Sequence, residues 1–183
     1  RNTAEMWVSM TSTVAGLVAY AAGSASADKM TWTFTLRDGL KWHDGAAVTS
    51  ADVIASLVRW AKRDSMGQAM AAATKEWKAV DAKTFQLTLK EPFGLVLESL
   101  GKPSSNVPFV MPKRVAEADA TKSIAEHAPN DWHIGSGPFK FVRAEFQPGV
   151  KTVYEKNPDY VPRKEAASWL VGGKVVKVDR VEW

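Results

Sequence analysis

The sequence contains no cysteine among its 183 residues. It therefore cannot form a disulfide scaffold, use a thiolate nucleophile, or bind an iron–sulfur cluster or a thiolate zinc ion. Histidine is also scarce, with three in the chain. His127 and His133 are six positions apart, which fits no standard zinc pattern, and His43 lies in a predicted tight turn. We therefore predict neither a metal site nor a cofactor.

Charge of one sign is not concentrated anywhere in the sequence. The chain has 24 Lys and Arg against 20 Asp and Glu, a net charge of +4, and the two signs are interspersed. A nucleic-acid interface needs clustered basic residues, so we predict no nucleic-acid partner. The hydrophobic fraction of 45% is ordinary for a globular chain of this size and excludes a disordered or collagen-like protein.

Long hydrophobic runs are lacking too. Residues 14–22 (VAGLVAYAA) are apolar, but a membrane helix needs about 20 such residues, so we predict that the chain does not span a membrane. Ala25, Ser26 and Ala27 follow and are similar to a signal-peptide cleavage site. The positive charge before the run is only Arg1, offset by Glu5, so we favour a buried alanine-rich helix or strand here.

Periodicity predicts an α+β fold. Residues 30–37 alternate apolar and threonine side chains, which is typical of a half-buried strand. Thr49 with Asp52 predicts a capping box for a helix that runs to about residue 63, and residues 65–74 predict a second helix. Residues 77–80 and 84–90 read as a hairpin, residues 93–100 as a third helix, and residues 139–146, 150–155 and 175–183 as further strands.

Four local motifs occur in a fixed order. They are TWTFTLRDGLKWHDGAAVTSADV at 31–53, TFQLTLKEPFGLVLESL at 84–100, GSGPFKF at 135–141 and YEKNPDYVPR at 154–163. The residues themselves indicate turns, caps and strands; the GSG segment lacks the spacing of a phosphate-binding loop. Together, the four motifs resemble the family 5 extracellular solute-binding proteins, which are the peptide-, nickel- and opine-type receptors of ABC importers.

The resemblance implies a fold, a function and a location. Residues 28–183 would form part of the first lobe of a type II periplasmic binding protein, a mixed sheet with packed helices, and the second lobe would follow Trp183. The protein would be an extracytoplasmic, periplasmic receptor that captures a small peptide or other small solute and delivers it to the permease subunits of an ABC importer by lobe closure. Residues 1–27 do not match the family pattern and form a divergent N-terminal segment whose fold the sequence leaves open.

Candidate ligand contacts come from loop position rather than from a family motif. Met66 and Gln68 lie between the capped helix and the hairpin, where flexible and amide side chains suit adaptable binding. Ser105 and Asn106 lie in a small polar loop, and Trp132 stands before GSGPF as a candidate aromatic wall. Each also has a structural reading: core packing for the methionine and tryptophan, and solvation for the polar loop.

The alternatives to a solute receptor are an enzyme and a truncated domain with a structural or interaction role. An enzyme such as a hydrolase would need a triad or a metal, and Ser136 in GSGP lacks the Gly-x-Ser-x-Gly elbow, so we predict no catalysis. A truncated stand-alone domain with a structural or interaction role is the other alternative, because an uncovered lobe face could drive dimerisation.

Overall fold

The computed structural model describes residues 6–7, 21–101, 106–164, 166 and 173–183. The structure does not describe residues 1–5, 8–20, 102–105, 165 and 167–172. The predictions for Ser105 and for most of the apolar run at 14–22 therefore lie outside the described residues. The strands are β1 (Met6–Trp7), β2 (Ala21–Ala25), β3 (Thr31–Leu36), β4 (Thr74–Ala79), β5 (Thr84–Leu89), β6 (Phe139–Phe141), β7 (Val153–Lys156) and β8 (Arg180–Glu182). The helices are α1 (Ser50–Ala61), α2 (Ser65–Ala73), α3 (Val96–Leu100), α4 (Lys113–Ala116) and α5 (Ile124–His127), with one 3₁₀ turn at Arg143–Glu145.

The larger sheet has five strands in the order β1-β2-β3-β5-β4. In β3, the alternation that predicts a strand places Phe34 and Leu36 in the core and leaves Thr35 exposed. Phe34 pairs with Phe85 across β3 and β5, and the two rings stack with centroids 5.1 Å apart. The α+β class is confirmed, but every strand pairing among the described residues is antiparallel, so they do not show the mixed parallel and antiparallel character expected of the sheet.

Helix α1 begins where the sequence predicts. Thr49 caps it, and the reciprocal capping box with Asp52 is complete. Val53, Leu57 and Trp60 form the buried row, whereas Val58, on the neighbouring apolar row, is 42% exposed. The helix carries two adjacent apolar rows, and the sheet buries the one that includes Trp60.

The remaining elements around the larger sheet form where periodicity predicts them, with some different bounds. Helix α2 and strand β5 agree with the expected spans to within one residue, and Leu87 at the centre of β5 is fully buried. Strand β4 begins at Thr74 rather than at residue 77. Helix α3 begins at Val96 rather than at residue 93, because Gly94 interrupts the turn and Leu95 provides no side-chain cap. Its end at Gly101 is as predicted.

The smaller sheet has the order β6-β7-β8. Strand β8 pairs over three residues, which face Val153, Tyr154 and Glu155 of β7. It is therefore shorter than the strand predicted at 175–183. An exposed ion-pair network centred on Arg180 holds this edge, with contacts to Glu145 at 2.6 Å and to Glu155 at 3.2 Å. The hydrogen bonds from Arg180 and Lys151 lower the pKa of Glu145 to about 2.

Candidate functional site

Met66 and Gln68 lie on the first turns of α2. Asp64 is buried and caps this helix, because its carboxylate accepts hydrogen bonds from the backbone N–H groups of Met66 (2.9 Å) and Gly67 (3.1 Å). Met66 is half-buried and Gln68 is exposed. The Gln68 amide donates to the backbone carbonyl of Lys62 at 3.4 Å, just beyond the end of α1.

Gly67 sets how closely α2 approaches α1. A Cβ atom at this position would lie 2.8 Å from the Cα of Ala61 and 3.1 Å from the Trp60 ring. Only glycine fits such a separation, so the position of Met66 and Gln68 relative to α1 is fixed by backbone contact. The sequence signal for this contact is a glycine in the middle of a helical pattern, which sequence reasoning did not use.

Asn106 reaches the same end of α1 from a different loop. Its backbone has a φ of +48°, a conformation that asparagine tolerates better than most residues. Its carbonyl accepts a hydrogen bond from the indole N–H of Trp60, while the residue itself is exposed. The structure thus brings Gln68 to Lys62, just beyond the end of α1, and Asn106 to Trp60 in the last turn of α1. Ser105 lies outside the described residues.

Trp132 lies in an aromatic cluster with His133, Phe141, Phe146 and Tyr154 next to the smaller sheet. Its ring is 5.3 Å from that of Phe141 and 6.5 Å from that of Phe146 between centroids. Trp132 and Phe146 are each 37% exposed, so the cluster presents a partly open aromatic surface. Such a surface can hold an apolar or aromatic group by stacking and shape.

His133 contributes a buried ring nitrogen to this cluster. Its Nδ1 has no hydrogen-bond partner among the described residues. Burial, and then the nearby positive charge of Arg143, lower the pKa of His133, so that the neutral imidazole is favoured. The imidazole of His133 is therefore neutral at neutral pH, and its Nδ1 is an unused polar atom in a ring whose centroid is 5.5 Å from that of Trp132.

His43 joins the turn after β3 to the GSGP segment that leads into β6. Its Nδ1 accepts from the backbone N–H of Gly135 at 3.2 Å, so Nε2 carries the proton and donates to the carbonyl of Gly137 at 3.2 Å. Buried Asn157 donates to the same Gly137 carbonyl at 3.0 Å. Burial is the main cause that lowers the pKa of His43 and favours this neutral form. The sequence predicts a surface turn here, and its contact with residues 135–137 could not be read from it.

Two arginines complete the junction between the sheets. Arg114 on α4 contacts Asp44 at 2.6 Å and Asp131 at 2.8 Å, and the hydrogen bond to Asp131 is the first cause that raises its pKa. Arg37, at the end of β3, donates to the backbone carbonyls of Val161 (2.7 Å) and Pro162 (3.1 Å). The two sheets are thus held together by side chains that are far apart in the sequence.

The candidate residues offer stacking, amide and backbone groups. Across the described part of the chain, no group of three or more acidic or histidine side chains could hold a metal ion. No described helix has the length and apolar character needed to cross a bilayer. What the candidate residues can do chemically is bind a small molecule by shape and hydrogen bonding.

Comparison with known proteins gives a consistent family. A family model described as bacterial extracellular solute-binding proteins, family 5 Middle, matches residues 7–183. A probable peptide ABC transporter periplasmic-binding protein of Sinorhizobium fredii is 43% identical over 158 residues, which are 86% of this chain and 28% of that protein. The probable D,D-dipeptide-binding periplasmic protein DdpA of Escherichia coli is 35% identical over 145 residues, 76% of this chain and 26% of that protein.

A solved structure shows the same fold. The ABC transporter substrate-binding protein CtaP of Listeria monocytogenes superposes with a TM-score of 0.63 at 26% sequence identity, covering 88% of this chain and 30% of CtaP. The chain therefore spans between a quarter and a third of the length of these relatives. The family match begins at residue 7 and so extends into the segment before residue 28.

Proposed function

The chain belongs to the bacterial extracellular solute-binding proteins of family 5, and from this premise we propose that it acts as an extracytoplasmic solute receptor of an ABC importer. The proposed solute is a small peptide or peptide-like molecule, and the proposed partner is the permease of the importer in the membrane. The observation that carries the proposal is the family match over nearly the whole chain. The named relatives are binding proteins, which agrees with capture of the solute without covalent chemistry.

We also propose that residues 28–183 supply part of one lobe and therefore one wall of the solute cleft. In this account, a second lobe encoded outside these residues closes over the solute by a hinge motion. The close contact of α2 with α1 at Gly67 and the bonds of His43 to Gly135 and Gly137 support a rigid wall. A preformed wall lowers the ordering cost of binding.

Within that wall, we propose Met66, Gln68, Ser105, Asn106 and Trp132 as ligand contacts. Gln68 and Asn106 support this proposal because both are exposed and both approach the end of α1. Trp132 supports it through its partly open aromatic surface. An exposed amide can hydrogen-bond a peptide backbone, and an open indole can hold an apolar side chain.

Replacing Trp132 by alanine is expected to reduce peptide uptake. The encoding gene would be deleted in its bacterium and restored as wild type, Trp132→Ala or Val80→Ala, and the uptake of a labelled tripeptide mixture would be measured. Loss of a stacking aromatic side chain costs about 1–2 kcal/mol, so Trp132→Ala should weaken the apparent affinity roughly five- to thirtyfold.

Val80 is the control position, because it is 50% exposed at the turn between β4 and β5 and lies outside the proposed contacts. Its alanine variant should transport like the wild type. Undiminished peptide uptake in the deletion strain would refute the proposed transport function. If the deletion abolishes uptake but the strain restored with Trp132→Ala takes up peptides normally, only the proposed role of Trp132 is refuted.

A further inference from the structure

His43 holds the segment 131–137, which carries Trp132. The backbone N–H of His43 donates to the carbonyl of Gly135 at 2.8 Å, and its Nδ1 accepts from the Gly135 N–H at 3.2 Å. Its Nε2 donates to the carbonyl of Gly137 at 3.2 Å. Trp132 precedes this turn and Phe141 follows it, and their rings lie 5.3 Å apart between centroids. His43 therefore fixes the turn that joins the two aromatic rings.

Three further contacts anchor the same segment. Arg114 bonds the carboxylate of Asp131 at 2.8 Å, and Ile134 packs against the core of the larger sheet. Buried Asn157 donates, at 3.0 Å, to the same carbonyl that accepts from Nε2 of His43. None of these three contacts involves a histidine, whereas the two side-chain hydrogen bonds of His43 depend on where its imidazole carries a proton.

Protonation of His43 removes one of these hydrogen bonds. The imidazolium ion carries a hydrogen on both nitrogens, so Nδ1 can no longer accept from the Gly135 N–H and faces it as a second donor. Gly135 is buried, so water does not replace the lost acceptor without movement of the backbone. The bond from Nε2 to the Gly137 carbonyl is kept in both forms. Protonation therefore displaces the turn on the side that leads back to Trp132.

The surroundings of the imidazole favour its neutral form. Burial is the main cause that lowers the pKa of His43, and the positive charges of Lys140 on β6 and of His133 act in the same direction. The hydrogen bond that Nε2 donates, and the carboxylate of Asp44, oppose them. Asp44 is itself paired with Arg114 at 2.6 Å, which weakens its attraction for a second positive charge. The ordered turn is therefore the form that goes with a neutral imidazole.

We propose that His43 is a positioning residue of the solute wall and that mild acid weakens solute binding by releasing the segment that carries Trp132. The inference rests on the proposed function, because it concerns the regulation of the proposed contact at Trp132. Solute binds the ordered wall, so a proton that favours the released wall competes with solute. Binding should be complete above pH 6.5 and should be lost as the pH falls toward the lowered pKa of His43.

Equilibrium dialysis of the natural gene product against labelled tripeptides of alanine, leucine and phenylalanine, at pH 7 and at pH 5, measures this effect. The terminal groups of such peptides titrate near pH 8 and about pH 3.5, so the charge of the peptide changes little over this range. One proton excluded by binding changes the dissociation constant by at most about tenfold per pH unit. We expect the apparent dissociation constant to be about tenfold higher at pH 5, with the fold intact by circular dichroism.

Variants assign the effect to His43. In His43→Asn the side-chain oxygen can accept from the Gly135 N–H at both pH values, while the donor to the Gly137 carbonyl is lost. This variant should bind more weakly than the wild type at pH 7 and with the same affinity at pH 7 and pH 5. His133→Gln, which removes the second imidazole of this region, should still lose affinity on acidification. Val80→Ala, at an exposed position outside the segment, is the control and should follow the wild type.

The outcomes separate this inference from the proposed function. No retention of peptide at either pH would refute both. Peptide binding of equal affinity at the two pH values would overturn the role of His43 and leave the proposed function intact. So would an undiminished pH effect in His43→Asn, loss of the effect in His133→Gln, or unfolding of the wild type at pH 5.

Discussion

Asp52→Ala is expected to lower the free energy of unfolding by about 3–5 kcal/mol, because it leaves several buried donors without an acceptor. Asp52 is buried, with 8% of the residue exposed. One oxygen accepts from the backbone N–H and the hydroxyl of Thr49, both at 2.8 Å, and the other accepts from the backbone N–H of Lys113 at 2.7 Å. The indole N–H of Trp42 donates, at 3.4 Å, to the same Asp52 oxygen that accepts from Thr49.

Chemical denaturation of the wild type and four variants, including Asp52→Ala, measures this effect. Thr49→Ala removes only the cap and should cost about 1 kcal/mol, and Asp52→Asn should fall between Thr49→Ala and Asp52→Ala, since an amide keeps an acceptor but adds a donor. Glu126→Ala, on exposed α5, should stay within about 0.5 kcal/mol of the wild type. If Asp52→Ala cost no more than Thr49→Ala, Asp52 would act only as a helix cap and would not hold α4.

Removal of His43 is expected to loosen the junction of the two sheets. His43→Ala deletes the acceptor for the Gly135 N–H and the donor to the Gly137 carbonyl, and Gly135 is buried. An unsatisfied buried N–H costs about 1–3 kcal/mol. Amide exchange at Gly135 should quicken accordingly in His43→Ala, while exchange within β5 changes less.

The hydrogen bond from the Gly135 N–H to Nδ1 of His43 predicts that the folded protein loses stability as the pH falls. Burial lowers the pKa of His43 below its ordinary value of 6.5, so on acidification the unfolded chain takes up a proton before the folded one does. The contribution of His43 to stability is complete above pH 6.5 and is lost as the pH falls toward the lowered value. Protonated Nδ1 could no longer accept from Gly135. Lys140 and His133 act in the same direction on the imidazole, and Asp44 opposes them.

Unfolding curves of wild type and His43→Ala across pH 5 to 8 separate this effect from those of other groups. The difference in unfolding free energy between the two proteins should shrink as the pH falls. If the difference in unfolding free energy stayed constant with pH, the stabilisation by His43 would not depend on the neutral form of its imidazole.

Local pattern predicted most elements of the larger sheet, because their signals lie within a few residues. The Thr49–Asp52 capping box, the alternation in β3 and the hairpin at β4 and β5 are of this kind. The same Asp52 also bonds Lys113, 61 positions away, and no local pattern contains that contact. Likewise, α1 has two apolar rows, and only the tertiary structure decides that Trp60 is buried and Val58 is not.

The sequence predicts individual residues of the candidate site but not the contacts between them, because the contacts join residues from separate elements. Loop position indicated Gln68 and Asn106, but their approach to one end of α1 depends on Trp60 and on the close packing at Gly67. Trp132 was noted as an aromatic outside the strands, yet its neighbours Phe141 and Phe146 come from the following strand and turn. Contacts of this type are fixed by the packing of elements, which a single sequence does not contain.

Native mass spectrometry of the natural gene product, incubated with an equimolar mixture of di- to hexapeptides, tests the central claim most directly. A receptor that captures solute should appear as one-to-one complexes with intact peptides, and the peptides recovered after denaturation should be unchanged. A protein that forms no complex with any peptide, or that returns the peptides cleaved, would contradict the claim.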